Sequence, residues 1–220
     1  MWKKDISKAV QCLPGHGISL WLWICLHIFP LWKRKKGMQD MSRVMNVATV
    51  FCFLAAIFFG ICCRGSDRGI CLTLAVTFGT IAYHLGMRLL VGLLFSVGMK
   101  NRADLTKKWY QTNPWERELY RCLKVKKWKD RMPAYRPDTF SSKKHTWDEI
   151  AQAMCQSELV HETNIILSFV PLAASLCFGS FWVFFITSLC SAVFDLLFVM
   201  MQRYNRPRIV SMILRQRQNL

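Results

Sequence analysis

Residues Val44 to Cys63 read VMNVATVFCFLAAIFFGICC, a run without a charged side chain. About twenty residues of helix rise roughly 30 Å, the thickness of a bilayer's hydrocarbon core. Lipid offers no hydrogen bonds, so such a segment must satisfy its own backbone, and a helix does so. The stretch therefore predicts a transmembrane helix.

The chain downstream repeats the pattern. Gly69 to Met99 is apolar apart from His84 and Arg88. Thr163 to Phe194 carries no charge, and the apolar run continues past Asp195 to Met201. That block is too long for one crossing, and Phe178-Gly179-Ser180 is a turn signal that divides it in two. The fold class expected is all-α: a polytopic helical membrane protein with about four transmembrane helices plus interfacial amphipathic helices. The spans fall at about 44–63, 70–90, 163–179 and 180–201, within a single membrane-embedded domain over 44–208. A segment over 1–43 precedes it and a tail over 209–220 follows it.

The charges agree with this reading. Lys and Arg number 30 against 13 Asp and Glu, a net charge of +17 in a chain that is 53% hydrophobic. Such a balance often marks a nucleic-acid binder. Here the cations flank the spans, as in Lys33-Arg34-Lys35-Lys36 and Arg203 to Arg217. By the positive-inside rule both termini and the segment 100–162 are cytoplasmic, in a multi-pass protein of the plasma membrane. No nucleic-acid partner is expected. The ten cysteines include no CxxC pair, so they read as small buried side chains rather than metal ligands.

Two regions resist a simple crossing. Ile18 to Trp32 is short, contains Pro30 and holds three Trp, which suits an interfacial or re-entrant helix. A signal peptide competes with this reading, but no small-residue cleavage site follows. The cytoplasmic segment holds too many aromatic residues for a flexible linker. Trp115 to Lys126 reads as a helix with Leu119, Leu123 and Lys126 on one face and Asn113-Pro114 at its start. Thr146 or Asp148 caps a second helix running to Glu162.

The chemistry-bearing residues lie near the cytoplasmic ends of the spans. Glu158 and His161, in Glu158-Leu-Val-His161-Glu162, share a helix face, and a carboxylate can orient an imidazole as a general base. The same spacing serves as half of a di-iron site, but a second ExxH is absent, and no metal is expected. His84 and Arg88 are ionisable groups inside a span, costly unless they serve a function. Asp195 lies about two turns before the end of the last span, at a depth where it could neutralise Arg88. Gln202-Arg203-Tyr204-Asn205-Arg206-Pro207-Arg208 brings together three guanidiniums able to hold phosphate in bidentate fashion. Lys127-Trp128-Lys129 is similar in character. A shared depth predicts one pocket from all of these groups.

In combination, the run Glu118-Leu-Tyr120 through Lys127-Trp128-Lys129-Asp130 to Pro133, the Glu158-Leu-Val-His161 motif, the Gln202 to Arg208 segment and the YHxxxR pattern at Tyr83, His84 and Arg88 resemble the glycosyl-4,4'-diaponeurosporenoate acyltransferase family. The resemblance covers about Val44 to Arg208. It implies transfer of a fatty acyl chain onto the sugar of a glycosylated C30 carotenoid, as in the formation of a staphyloxanthin-type pigment. The partners implied are membrane lipids, an apolar glycolipid acceptor and an acyl-CoA or acyl-carrier donor acting as co-substrate, with no bound cofactor.

On that reading His161, positioned by Glu158, is the base, and His84 or Arg88 faces the oxyanion. Lys127, Trp128, Lys129, Asp195, Gln202, Arg203, Asn205, Arg206 and Arg208 form the substrate-binding set. No GxSxG is present, which favours direct attack by the sugar hydroxyl over a serine acyl-enzyme. The competing class is a non-enzymatic membrane protein that binds a lipid or a partner. A metal-dependent oxidoreductase is the third reading, with only His84 and His161 suitably placed.

Overall fold

The computed structural model describes residues 40–63, 68–128, 137–179 and 181–218, and every regular element among them is helical. The expectations for Ile18 to Trp32 and for Lys129 fall outside the described residues, as does the side chain of Lys127. Among the described residues six α-helices follow in order: α1 (Asp40–Cys62), α2 (Arg68–Met99), α3 (Pro114–Cys122), α4 (Trp147–Leu167), α5 (Ser175–Phe178) and α6 (Phe181–Gln218). Among the described residues four stretches are long and apolar enough to cross a membrane: Ser42–Cys62, Gly69–Met99, Trp147–Phe178 and Phe181–Gln218. The protein is a polytopic helical membrane protein.

Helix ends differ from the sequence expectations in three places. The amphipathic helix α3 stops at Cys122 instead of reaching Lys126, because Lys124 adopts a left-handed backbone (φ 52°) and a 3-10 turn follows over Val125–Trp128. Its buried residues are Glu116 and Tyr120, whereas Leu119 and Leu123 are exposed together with Trp115. Exposed apolar side chains beside Arg and Lys are what an interfacial helix presents to a headgroup layer.

α2 runs unbroken through Val91 to Met99, and α6 runs unbroken through Pro207 to Gln218. The C-terminal tail is thus a continuation of the last helix. Pro207 has no N–H to return to the Arg203 carbonyl, and the Thr112 hydroxyl donates to that carbonyl at 3.4 Å. The start of α4 is a capping box: Thr146 Oγ1 accepts from the Glu149 N–H, and Glu149 Oε2 accepts from the Thr146 N–H.

The chain divides into two compact units, Met1–Leu89 with Ile166–Ala192, and Leu90–Ile165 with Val193–Leu220. In the first, α1 lies antiparallel to α2 over small residues. Ala56 faces Gly79, and Thr49 faces Gly86, where an added Cβ would stand 3.9 and 3.6 Å from the neighbour. Small side chains let helices approach where lipid provides no hydrophobic drive between them. Phe59 stacks on Phe78 beside this seam, at 5.8 Å. The outer side of α1 remains apolar and exposed, with Val47, Phe51, Phe58 and Ile61 each more than 60% accessible, as a lipid-facing helix requires. The threonine hydroxyls of α2 return to their own helix, as Thr73, Thr77 and Thr80 do to carbonyls four residues back.

The α4 helix ends in a 3-10 stretch over Val170–Ala174 that contains Pro171. Pro171 cannot donate to the Leu167 carbonyl, and the Tyr83 hydroxyl does so instead, at 2.8 Å. α5 is closed by Gly179, whose φ of 74° suits glycine, and α6 begins two residues later.

Candidate functional site

The first unit buries a hydrogen-bonded network centred on the hydroxyl of Ser191. His84 Nδ1 lies 3.1 Å from that oxygen, Ser168 Oγ lies 3.0 Å away, and Arg88 Nη2 donates to it at 2.8 Å. Arg88 also donates to the carbonyls of His84 and Ser191. His84, Ser168 and Ser191 are all buried. Neither serine was foreseen from sequence, because a serine in an apolar run carries no periodic or charge signal.

The second unit holds the remaining groups, arranged around Glu158, which is fully buried on α4. Arg203 Nη1 donates to Glu158 Oε1 at 2.7 Å, and Arg206 Nη1 donates to Oε2. Arg203 uses its whole donor set. Nε and Nη2 reach the two oxygens of Glu116 at 2.8 and 2.9 Å, Nη1 reaches the Trp109 carbonyl at 2.9 Å, and Nη2 reaches the Gln111 carbonyl at 3.2 Å. With the bond to Glu158 this makes five bonds for five N–H groups. Arg206 is 2% exposed; it also donates to the Tyr110 carbonyl and sits 5.2 Å over the Tyr110 ring.

These contacts correct the expectation that Arg203 and Arg206 hold a donor phosphate: carboxylates and backbone carbonyls already hold both. Gln202, also expected at the substrate, is buried and donates to Ser157 Oγ at 3.2 Å.

Glu116 anchors the loop–helix edge of this core. Burial pushes its carboxyl up, but hydrogen bonds from Arg203 and Tyr120 outweigh that and hold it below the ordinary glutamate range. Tyr120 donates to Glu116 Oε2 at 3.0 Å, and burial together with that bond pushes its phenol up to about 12. Burial also raises Tyr110. Sequence reading missed Glu116 and Tyr120, although two residues four apart in Pro-Trp-Glu-Arg-Glu-Leu-Tyr share a helix face and so provided a signal.

His161 follows Glu158 by three residues on α4 but does not take it as partner. Its Nδ1 lies 2.8 Å from Asp195 Oδ1, and its ring stacks on Phe198 at 4.7 Å. The carboxylate that orients the imidazole is Asp195, since both oxygens of Glu158 are taken by guanidiniums. Asp195 is fully buried, so it positions His161 and does not present itself to a ligand, whereas the His161 side chain is 20% exposed. An ionised Asp195 only accepts, and with it Nδ1 carries the proton and Nε2 is left as the basic nitrogen. Glu162, next along the chain, accepts from Trp109 Nε1 at 3.0 Å.

A groove of about 380 Å3 opens in the same unit beside Arg203, lined by Thr112, Arg117, Tyr120, Arg121, Tyr204, Pro207 and Arg208. Arg208 was expected at a ligand, but Arg117 and Arg121 were not. Trp128 and Asn205 are partly buried and do not line this groove. The residues expected to share one pocket by depth are each described within their own unit. His84 and Arg88 belong to the first unit, and Glu158, His161, Asp195 and the α6 arginines to the second.

Residues 106–215 match the model of the glycosyl-4,4'-diaponeurosporenoate acyltransferase family. No curated protein and no solved structure matches at a significant level. The matched stretch contains Glu116, Glu158, His161, Asp195, Arg203, Arg206 and Arg208, and it leaves out the YHxxxR pattern at Tyr83, His84 and Arg88. On that match, which spans half of its length, the chain belongs to the glycosyl-4,4'-diaponeurosporenoate acyltransferase family.

Proposed function

We infer that this protein transfers a fatty acyl group onto a hydroxyl of a glycosylated lipid, a glycosyl C30 carotenoid by its family, at the cytoplasmic face of the plasma membrane. The observation that carries the reading is the bond between His161 Nδ1 and Asp195 Oδ1 inside the family-matched region. It supports a fixed tautomer with Nε2 as general base.

In the reaction, the sugar hydroxyl loses its proton to His161 Nε2 as its oxygen attacks the carbonyl of an acyl thioester. A carbon–oxygen bond forms and the carbon–sulfur bond breaks. The departing thiolate then takes the proton from the imidazolium, so the balance is thioester plus alcohol to ester plus thiol. Buried Asp195 stabilises the imidazolium without itself taking the proton, and Phe198 holds the ring plane. A carotenoid acceptor would keep its apolar chain in the bilayer and offer its sugar at the interface.

The test is transfer of labelled acyl groups from acyl-CoA to a glycolipid by the purified protein. His161→Ala should lower the rate by roughly 10²–10⁴ while the protein remains folded. Asp195→Asn should lower kcat more than it raises KM, because it disturbs the base and not binding. Absence of transfer by the wild type to any glycolipid, or equal rates in all variants, would overturn the reading and favour a non-enzymatic lipid-binding protein.

A further inference from the structure

The arginines beside the groove differ from those at the centre of the second unit. Arg203 and Arg206 are consumed by Glu116, Glu158 and carbonyls. Arg117, Arg121 and Arg208 are exposed and only loosely held. Arg117 reaches the Thr112 carbonyl at 3.5 Å, a weak contact. Arg121 pairs with Glu118 across side chains that are 74% and 64% accessible, and such a pair contributes little. Arg208 lies 4.5 Å over the Tyr204 ring and donates to its hydroxyl, which fixes the direction of the guanidinium and leaves other N–H groups free to point outward. Arg117 and Arg121 are four residues apart on one face of α3, and Arg208 comes from α6.

Three forks converging on one cavity are suited to phosphate oxygens, which accept bidentate pairs. We propose that this groove holds the phosphate groups of the acyl donor, a coenzyme-A-type thioester, and this rests on the acyl-transfer reading above.

The position of the groove selects the donor. Arg203 lines it, and Arg203 follows Asp195, the partner of His161, by eight residues on α6, about 12 Å along the axis. A coenzyme A thioester carries its phosphates at one end of a long flexible arm and its reactive carbonyl at the other, so it can occupy both places at once. A phospholipid has only two or three glycerol carbons between phosphate and ester. Its phosphate in this groove would leave the ester far from the imidazole. The cavity, near the lower end of ligand-site volumes, admits the phosphate end of a nucleotide and not a folded protein surface.

The experiment is direct binding to the purified full-length protein in neutral detergent, with coenzyme A, adenosine 3′,5′-bisphosphate and phosphatidylglycerol mixed micelles as separate probes. Coenzyme A and the bisphosphate should bind, and more weakly as salt rises. The combined variant Arg117→Gln/Arg121→Gln/Arg208→Gln should weaken both by roughly tenfold or more, with its thermal midpoint preserved because all three side chains are exposed. Lys143→Gln, a charge change outside the groove, should bind as the wild type does.

Equal binding by wild type and combined variant would overturn the proposal, and so would equal weakening by Lys143→Gln. Wild type that binds only phosphatidylglycerol micelles through these arginines would reassign the groove to a lipid headgroup and overturn it as a donor site. Failure here is separable from failure of the reaction. Arginine-dependent coenzyme A binding without transfer sinks the reaction and keeps the groove. Transfer that is unchanged in the combined variant does the reverse.

Discussion

The two units bury polar side chains with different chemistry. Around Ser191 in the first, the described bonds run through hydroxyl, imidazole and carbonyl groups, and Arg88 donates to three of those oxygens. Around Glu158 in the second, two carboxylates and two guanidiniums interlock. They also solve one problem in the same way. A proline leaves a carbonyl without its usual donor, and a hydroxyl from another segment supplies one: Tyr83 for Pro171, Thr112 for Pro207. The comparison teaches where charge is used as structure. In the second unit the arginines tie α3, α4, α6 and the loop at Trp109 to Gln111 together, and the proposed base sits beside that lattice without being spent on it.

Breaking the charged lattice should have the largest effect. Glu158→Ala leaves Arg203 and Arg206 without their shared carboxylate in a buried setting, where losing one partner costs about 3–5 kcal/mol. Thermal unfolding in detergent checks this. A variant as stable as wild type would show that the lattice is dispensable.

The network around the Ser191 hydroxyl should respond less. Ser191→Ala removes the hydroxyl that His84, Ser168 and Arg88 share, at about 1–3 kcal/mol. If Ser191→Ala proved as harmful as Glu158→Ala under the same assay, the distinction between the units would fail.

The smallest effect is confined to alkaline pH. The phenol of Tyr120 is pushed up to about 12 by burial and by its bond to Glu116, above the value near 10 of a free tyrosine. A group raised on folding contributes stability that is complete below the unfolded value. Stability should therefore fall as pH rises from about 10 to about 12. Tyr120→Phe should flatten that part of the profile and remove a tyrosinate absorbance that appears near pH 12 in the folded protein. An unchanged profile would mean that the bond between Tyr120 and Glu116 does not couple to folding.

Charge-free runs such as Val44 to Cys63 were legible as helices because a bilayer admits little else, and length then follows from thickness. The turn signal at Gly179 was legible from composition, and the capping box at Thr146 and Glu149 follows from residue types a few positions apart. The family was legible in motifs that lie mostly within residues 106–215.

Partner choice was not legible. Sequence spacing pointed Glu158 at His161, yet Glu158 takes Arg203 and Arg206 from α6, and His161 takes Asp195 from the same helix. The same uncertainty hid Arg117 and Arg121, which look like ordinary surface charges until α3 is set against α6.

What the sequence by itself determined is the set of spans, their apolar faces and the residue types available for chemistry, because hydropathy and helical period act along the chain. Only the tertiary structure decided which cations are spent as structural ties and which face the groove. That choice depends on which carboxylate a guanidinium meets when distant segments come together, and a buried charge takes the nearest partner in space, whatever its separation in sequence.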